Sequence, residues 1–313
     1  MIFSNLSLEN IKPMTAVVGK LNIVENALGD WWQVPIMIAK GKPGPTLGIT
    51  AALHGNELNG ILTIQNFWKA LDPEALQGTV VLIPVLNTPG FLNGTREFYD
   101  GKDLNRIMPG KPNGTSAEVY AHAITSNILP HFDYLIDLHT ASFGRINSLY
   151  VRASLQNETI KKLALLQNPQ IIVNKTGPRG SLRREAEAQG IPAITVEIGD
   201  PNIFQQKYIK PSLSGLSNAL ITLNMIEGSL EIADTPPAVC QNSNWVYAKN
   251  AGILRVFPAL ADRVTKNEII AEITDIYGEA IDRIKAHSDG HVIGKSTNPV
   301  CEVGSRIIHI GIE

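Results

Sequence analysis

The sequence predicts an α/β fold, in which helices flank a mostly parallel mixed sheet, followed by a smaller all-β domain at the carboxy terminus. In the first part of the chain, short apolar runs alternate with amphipathic runs, which is typical of parallel strands joined by helices. After Gly228 the pattern changes to short alternating segments separated by glycines. A chain of 313 residues is long enough for one large and one small domain, which we expect at residues 1–230 and 231–313.

The large domain is predicted from two kinds of pattern. Apolar runs bounded by turn residues predict strands at 35–41, 46–53, 79–87, 134–140, 148–154, 169–175 and 193–199. Apolar residues at helical spacing predict helices at 57–71, 115–129, 157–167, 181–189 and 211–227. The segment from Asn87 to Gly114 is rich in Gly, Pro and Asn, and predicts a long loop. Long loops in compact domains commonly carry function.

The segment from Trp245 onward predicts a small β-barrel or sandwich, because short alternating runs are separated by glycines. Its pattern also looks like that of a lipoyl domain. However, the expected hairpin turn at residues 275–278, Asp-Ile-Tyr-Gly, contains no lysine to carry a cofactor. We therefore do not expect this domain to be a cofactor carrier.

An imidazole and a carboxylate, His54 and Glu57, stand where a predicted strand gives way to a predicted helix. Residues i and i+3 on the first turn of a helix share a face, so both side chains can reach one cation beyond the strand end. His139 ends another predicted strand, where an open α/β sheet would place a third ligand. Zinc accepts mixed nitrogen and oxygen ligands, and catalytic zinc commonly has three protein ligands. One Zn²⁺ per chain and hydrolytic chemistry are therefore predicted.

Other charged residues stand where such chemistry would use them. Glu197 is the single carboxylate in the apolar strand 193–199, and burying a charge there is costly unless the residue has a partner or a role. Arg96 and Arg106, in the long loop, supply guanidinium groups that can bind a carboxylate with two hydrogen bonds. Each residue alone has a simpler interpretation: a helix cap for His54 and Glu57, or an ion pair for Glu197.

Four motifs in one order decide between these interpretations. They are His54-x-x-Glu57, Thr95-Arg96 with Asp103-Leu104-Asn105-Arg106, Asp137-Leu138-His139, and Val196-Glu197-Ile198-Gly199. Together they resemble the succinylglutamate desuccinylase and aspartoacylase family of the zinc carboxypeptidase superfamily. The resemblance extends from about residue 45 to the end of the chain.

The resemblance implies a role for each motif residue. It implies that His54, Glu57 and His139 are zinc ligands and that Glu197 is the carboxylate that activates the metal-bound water. It implies that Arg96 polarises the scissile carbonyl, and that Asn105 and Arg106 bind the substrate's carboxylate. Asp103 is implied as the partner that orients His54. Arg183, at the start of the predicted helix 181–189, is either a further substrate-binding group or part of a solvated helix face. The carboxy-terminal domain is implied to restrict the active-site mouth to small substrates.

The remaining histidines, the two cysteines and the overall composition exclude further functions and partners from the prediction. The other five histidines have no partner at ligand spacing and are expected to be structural, while Cys240 and Cys301 are expected to be reduced. The 27 basic residues balance 29 acidic ones without a basic cluster, so neither nucleic acid nor membrane is an expected partner. The chain has neither a secretory pattern nor a run of about 18 apolar residues, so we expect a cytoplasmic protein.

These observations predict a zinc-dependent amidohydrolase that deacylates a small N-acyl amino acid or a related carboxylic acid. The sequence leaves undecided which acyl group is removed and whether the protein forms a homo-oligomer. One alternative is a metallocarboxypeptidase or peptide amidase that uses the same zinc site on a longer chain. The other is a binding protein that keeps the fold without turnover.

Overall fold

A ten-stranded mixed sheet forms the centre of the protein in the computed structural model, which describes residues 1–313. The first eleven strands are β1 (Ile2–Phe3), β2 (Thr15–Glu25), β3 (Trp31–Lys40), β4 (Lys42–Ala51), β5 (Gln77–Ile83), β6 (Tyr134–His139), β7 (Arg145–Asn147), β8 (Leu149–Ala153), β9 (Ile171–Asn174), β10 (Ala193–Ile198) and β11 (Ala238–Cys240). The sheet order is β1-β2-β3-β5-β4-β6-β10-β8-β9-β11. Only the β2–β3, β3–β5 and β10–β8 pairs are antiparallel, which confirms the predicted mostly parallel sheet.

Six helices cover both faces of this sheet. They are α1 (Asn59–Ala70), α2 (Thr88–Asn93), α3 (Ser116–Asn127), α4 (Glu158–Leu165), α5 (Leu182–Ala188) and α6 (Gln206–Thr222), with three-residue 3₁₀ turns at Leu8–Asn10, Leu104–Arg106 and Leu129–His131. Side chains of α3 and α5 join an apolar cluster of 27 buried residues, and those of α1, α4 and α6 join another of 26. The sheet is therefore buried on both faces, which explains why its central strands are continuous apolar runs.

The short strands β1, β7 and β11 were not predicted, and the elements around the sheet differ from the predicted ones at three further places. The strand at 15–25 was not predicted, and it forms a long antiparallel hairpin with β3. The loop from Asn87 to Gly114 contains α2, whose first turn is capped by the Asn87 side chain. Helix α6 begins five residues before the predicted start at Pro211, because the buried Tyr208 and Ile209 pack its first turns against the sheet.

The carboxy-terminal segment forms two further antiparallel sheets, as predicted. Its strands are β12 (Asn242–Tyr247), β13 (Gly252–Val256), β14 (Arg263–Val264), β15 (Ile269–Thr274), β16 (Ala280–Lys285), β17 (Gly290–Ser296), β18 (Val300–Cys301) and β19 (Arg306–Ile312). One sheet has the order β12-β19-β17-β14 and the other β16-β15-β13-β18. Fourteen buried residues form the core between them. None of the helices in the protein is long and apolar enough to cross a membrane.

Strand β7 connects the two parts of the protein. It follows β6 in the chain, yet it pairs with β17 of the carboxy-terminal sheet rather than with the large sheet. The Ser148 backbone N–H also donates to the Ile293 carbonyl at 2.9 Å. The carboxy-terminal sheets are therefore joined to the segment that follows His139.

Candidate active site

The candidate metal ligands and the candidate base meet at the carboxyl ends of three adjacent strands, β4, β6 and β10. His54 follows β4 by three residues, His139 is the last residue of β6, and Glu197 lies next to the last residue of β10. In the β6–β10 register His139 and Glu197 are direct neighbours. Parallel strands in this order bring residues that are 85 and 58 positions apart in the chain to one edge of the sheet.

His54 and Glu57 occupy a tight turn that precedes α1. The prediction that they stand on the first turn of the helix is wrong, because α1 begins at Asn59. The turn nevertheless keeps their i,i+3 relation, since the Glu57 N–H donates to the His54 carbonyl at 3.1 Å. A side chain at Gly55 would overlap the Gly90 backbone, so the turn requires glycine there. Ala52, two residues before His54, has a φ of 48°, a left-handed conformation that is unusual for alanine.

Three side chains converge on one buried point. His54 Nδ1 lies 2.7 Å from Glu57 Oε1, and His139 Nδ1 lies 2.8 Å from Glu57 Oε2. The two Nδ1 atoms are 3.1 Å apart. All three residues are at most 3% exposed. Two imidazole nitrogens and a carboxylate therefore face one another with little access to water.

The outer nitrogen of each imidazole contacts a second carboxylate. His54 Nε2 lies 3.2 Å from Asp103 Oδ1, and His139 Nε2 lies 2.7 Å from Asp137 Oδ2. If each Nε2 donates its proton to this carboxylate, each Nδ1 is left with a lone pair. The inner atoms are then all acceptors, and a cation between them would satisfy them together. This donor set fits a divalent metal held by His54, Glu57 and His139.

The charges around this point shift the pKa values of Glu57 and His139. Burial opposes ionisation of Glu57, yet His54 and His139 hold its pKa well below the usual range. Burial would lower the pKa of His139, but Asp137 and Glu57 outweigh it and raise that pKa well above its ordinary value. Glu57 therefore stays charged at neutral pH. The negative charges of Glu57 and Asp137 that favour a proton on His139 would also favour a bound cation at the same point.

Glu197 lies beside this ligand set without joining it. Asn147 Nδ2 donates to its Oε2 at 3.4 Å, and Arg152 Nε lies 3.5 Å from its Oε1. Burial raises the pKa of Glu197, although the positive charge of Arg152 opposes the rise. Glu197 is therefore a carboxylate held near the candidate metal site with an increased affinity for protons.

The long loop brings Arg96 and Asp103 to the same point. Arg96 Nη1 donates to Glu57 Oε1 at 3.1 Å and to Ser142 Oγ at 2.7 Å. Its Nε and Nη2 atoms donate to Asp103 Oδ2 at 3.2 and 3.0 Å. Asp103 thus holds both Arg96 and His54. The predicted roles of Arg96 and Asp103 stay predictions, but both side chains lie beside the ligand set.

The three predicted substrate-binding residues line the same cavity in different environments. Asn105 Oδ1 accepts from the Leu182 N–H at 2.8 Å, which leaves its amide nitrogen free to face a ligand. Arg106 is 73% exposed, and its Nε lies 3.2 Å from Asp103 Oδ2. Arg183 is buried and not on a solvated helix face; it donates to Glu187 Oε1 at 3.0 Å and to the Lys175 carbonyl at 2.9 Å.

The cavity has a volume of about 580 Å³, and much of its lining was not predicted. The unpredicted polar lining residues include Arg145, Asn147, Tyr150, Arg152, Arg179, Trp245, Arg306 and His309. Trp245, Arg306 and His309 belong to the carboxy-terminal sheet, so both parts of the protein form the cavity. Asp137, which contacts His139, was also missed. Its position two residues earlier on the same strand, and hence on the same face, was a signal for it.

Comparison with known proteins identifies the class to which this fold and site belong. Residues 43–223 match the family model described as the succinylglutamate desuccinylase/aspartoacylase catalytic domain. The match covers more than half of the chain and includes all four motifs. The protein is therefore a member of the succinylglutamate desuccinylase/aspartoacylase family.

Individual relatives agree with this assignment. The chain is 27% identical over 272 residues to the N-alpha-acetyl-L-2,4-diaminobutyric acid deacetylase of Halomonas elongata, covering 82% of this chain and 79% of that protein. The product-bound ectoine utilization protein of Ruegeria pomeroyi superposes with a TM-score of 0.86 at 21% identity, covering 97% and 98% of the two chains. A succinylglutamate desuccinylase/aspartoacylase from Rhodobacter sphaeroides gives 0.84 at 23% identity, covering 96% and 97%. The fold is thus shared along nearly the whole chain.

Proposed function

We propose that the protein is a zinc-dependent deacylase that hydrolyses the amide bond of a small N-acyl amino acid. The observation that carries the proposal is the convergence of His54 Nδ1, His139 Nδ1 and the Glu57 carboxylate, with the outer nitrogen of each histidine on an aspartate. Three mixed nitrogen and oxygen ligands suit a catalytic zinc. When bound there, zinc would supply a Lewis acid that polarises a carbonyl and acidifies water.

Glu197 is proposed as the general base and acid. Its carboxylate would take a proton from the attacking water and return it to the leaving amine. Burial supports this role because it raises the pKa of Glu197 toward neutral pH. A group whose pKa lies nearer the working pH can both accept and release a proton during the reaction. Asn147, which donates to Oε2, would hold the carboxylate in place.

The basic residues are proposed to hold the substrate. Arg96 lies beside Glu57, where it would polarise the carbonyl of the scissile bond. Asn105 and Arg106 would bind the carboxylate of the amino acid. Because Arg106 is 73% exposed, its charge-assisted hydrogen bond should contribute about 1.5 kcal/mol, or roughly tenfold in kcat/KM.

The shape of the cavity supports a small substrate over a long peptide. The carboxy-terminal residues Trp245, Arg306 and His309 line it together with the ligand set. A volume of about 580 Å³ is typical of small-molecule sites. The name of the Halomonas elongata relative, a deacetylase of an N-acetyl amino acid, agrees with this choice. The cavity does not favour the alternative metallocarboxypeptidase or peptide amidase.

The test is a substrate panel for the zinc-loaded protein. N-Acetyl amino acids, their carboxamides and N-acyl dipeptides would be compared by kcat/KM. We expect free acids to be cleaved about tenfold better than carboxamides, and Arg106→Ala to remove this difference with zinc still bound. Equal or faster cleavage of the longer peptides would contradict the deacylase proposal and support the peptidase alternative.

A further inference from the structure

Tyr150 is a buried tyrosine in the active-site cavity that has no role in the mechanism proposed above. It is 1% exposed and belongs to the lining of the cavity. Its ring packs in an apolar cluster with Ile171, Val173, Cys240 and Ile293. Ile293 lies on β17, so the cluster takes side chains from both the central and the carboxy-terminal sheet. A ring packed in this way has little room to move, which makes its hydroxyl a fixed point beside the cavity.

The strand pairing places Tyr150 beside the proposed base. In the antiparallel β8–β10 register, Tyr150 lies directly opposite Glu197, and Arg152 lies opposite Thr195. Residues directly opposite each other point to the same face of a sheet, and so do residues two apart on one strand. The long side chain of Arg152 can therefore reach both Tyr150 and Glu197.

Arg152 divides its contacts unequally between these two residues. Its Nε and Nη2 atoms donate to the Tyr150 hydroxyl oxygen at 3.0 and 2.6 Å. Its Nε lies 3.5 Å from Glu197 Oε1, beyond the usual length of a charge-assisted hydrogen bond. Burial raises the pKa of Tyr150, so the hydroxyl stays neutral and accepts from the guanidinium without cancelling its charge. The short hydrogen bonds thus go to the tyrosine, while the positive charge lies near the carboxylate.

This division matters because a guanidinium beside a carboxylate commonly forms two short hydrogen bonds to it. Such a bidentate pair would engage both oxygens of Glu197. Hydrogen bonds to the charged form of a carboxylate lower its affinity for protons, so the pair would weaken Glu197 as a base. In the structure, Arg152 contacts Oε1 at 3.5 Å and Asn147 Nδ2 contacts Oε2 at 3.4 Å. Both oxygens are oriented, and neither is engaged in a short hydrogen bond.

We propose that Tyr150 is a positioning residue for the base: its hydroxyl holds the Arg152 guanidinium at a distance that orients Glu197 without closing on it. This inference rests on the proposed function, in which Glu197 is the base, and adds a residue to it. Tyr150→Phe is the decisive substitution. It keeps the ring and its contact with the Arg152 guanidinium carbon, which lies 5.2 Å from the ring centre. It removes only the acceptor, so that Arg152 can close on Glu197.

Kinetics on the best substrate of the panel tests this role. Tyr150→Phe should lower kcat by about 10- to 100-fold and leave KM nearly unchanged, since misplacing a catalytic group by about 1 Å can cost 10²-fold. In an Arg152→Met or a Glu197→Gln background the same substitution should cost little further, because a residue through which it acts is gone. Tyr120→Phe is the matched control. It removes an equally buried hydroxyl, which donates to the Leu86 carbonyl at 2.9 Å outside the cavity, and should leave kcat unchanged.

Two kinetic results would overturn the inference. A rise in KM at unchanged kcat would make Tyr150 a group that binds substrate. An equal loss of kcat from Tyr150→Phe in the wild-type, Arg152→Met and Glu197→Gln proteins would show that the hydroxyl acts independently of both partners.

Urea unfolding tests the same arrangement without turnover and so separates this inference from the proposed function. If Arg152 closes on Glu197 once the hydroxyl is gone, Tyr150→Phe should shift the urea midpoint by different amounts in the wild-type and Glu197→Gln proteins. Equal shifts would show that the hydroxyl and the carboxylate are independent, and would overturn the inference whatever the kinetics. Unequal shifts in a protein that hydrolyses nothing on the panel would support the arrangement and contradict only the deacylase.

Discussion

Replacing Asp137 by asparagine should weaken metal binding without disturbing the fold. Asp137 is 1% exposed, and its two oxygens have separate partners. Oδ2 lies 2.7 Å from His139 Nε2, while Oδ1 accepts from Thr50 Oγ1 at 2.7 Å. Asparagine has the same shape, so its amide oxygen can still accept from His139. Its amide nitrogen can then donate to the Thr50 hydroxyl, which is also an acceptor.

The size of the effect follows from what the substitution removes. The hydrogen bond to His139 survives, but the acceptor loses its negative charge. A charged acceptor fixes the protonated nitrogen and increases the basicity of the ligating one. Loss of such an outer partner typically reduces metal affinity by about 10- to 100-fold, or roughly 1.4 to 2.7 kcal/mol. Asp137→Ala should cost more, because it also removes the partner of Thr50 and leaves a cavity.

The assay is competition for Zn²⁺ against a chromophoric chelator, with circular dichroism to verify the fold. Asp133→Asn is the control, since Asp133 lies just before the same strand, is exposed, and accepts only from the Thr46 N–H at 2.7 Å. The control should bind zinc like the wild type. An unchanged zinc affinity in folded Asp137→Asn would refute the reasoning, because the outer carboxylate would then contribute nothing to His139 as a ligand.

Three further substitutions address the base, the pH dependence of stability and the backbone. Glu197→Gln should keep its zinc and lower kcat by about 10²- to 10⁴-fold, and a near wild-type kcat would make Glu197 structural. Burial and the charges of neighbouring arginines lower the pKa of His309 well below 6.5 in the folded protein. Below pH 6.5, His309 therefore binds a proton more readily in the unfolded chain than in the folded one. Stability should fall there by up to about 1.4 kcal/mol per pH unit, and urea titrations should show that His309→Gln lacks this component. Gly180 and Gly190 have φ values of 83° and 82°, but only at Gly180 would a Cβ overlap the Arg106 backbone. Gly180→Ala should therefore destabilise by about 1 to 3 kcal/mol more than Gly190→Ala, and equal urea midpoints would contradict this.

The parts of the site that the sequence predicts are those encoded locally. His139 and Glu197 each end an apolar run, and a strand buried on both faces is recognisable from such a run alone. His54 and Glu57 are three residues apart, so their pairing survives even though the helix begins at Asn59. The hairpin strand Thr15–Glu25 was missed because Gly19 and Lys20 interrupt its alternating apolar positions.

The rest of the cavity lining depends on contacts between distant segments, which local patterns do not encode. Arg145 meets Arg306 only after β7 pairs with β17 and β17 pairs with β19. Nothing near Arg306 in the sequence distinguishes it from a surface arginine. The prediction that the carboxy-terminal domain restricts the active site to small substrates rests on the family resemblance. No residue pattern within that domain indicates it.

The carboxy-terminal sheet positions a residue beside the proposed base as well as lining the cavity. Strand β7 pairs with β17 through all three of its residues, and Asn147 lies opposite Gly294. A side chain at Gly294 would overlap Asn147 Oδ1, so glycine is needed for the close approach. The same Asn147 donates from Nδ2 to Glu197 at 3.4 Å. The position of the proposed base therefore depends on a strand that the carboxy-terminal sheet holds, and catalysis should depend on that sheet even for substrates too small to touch it.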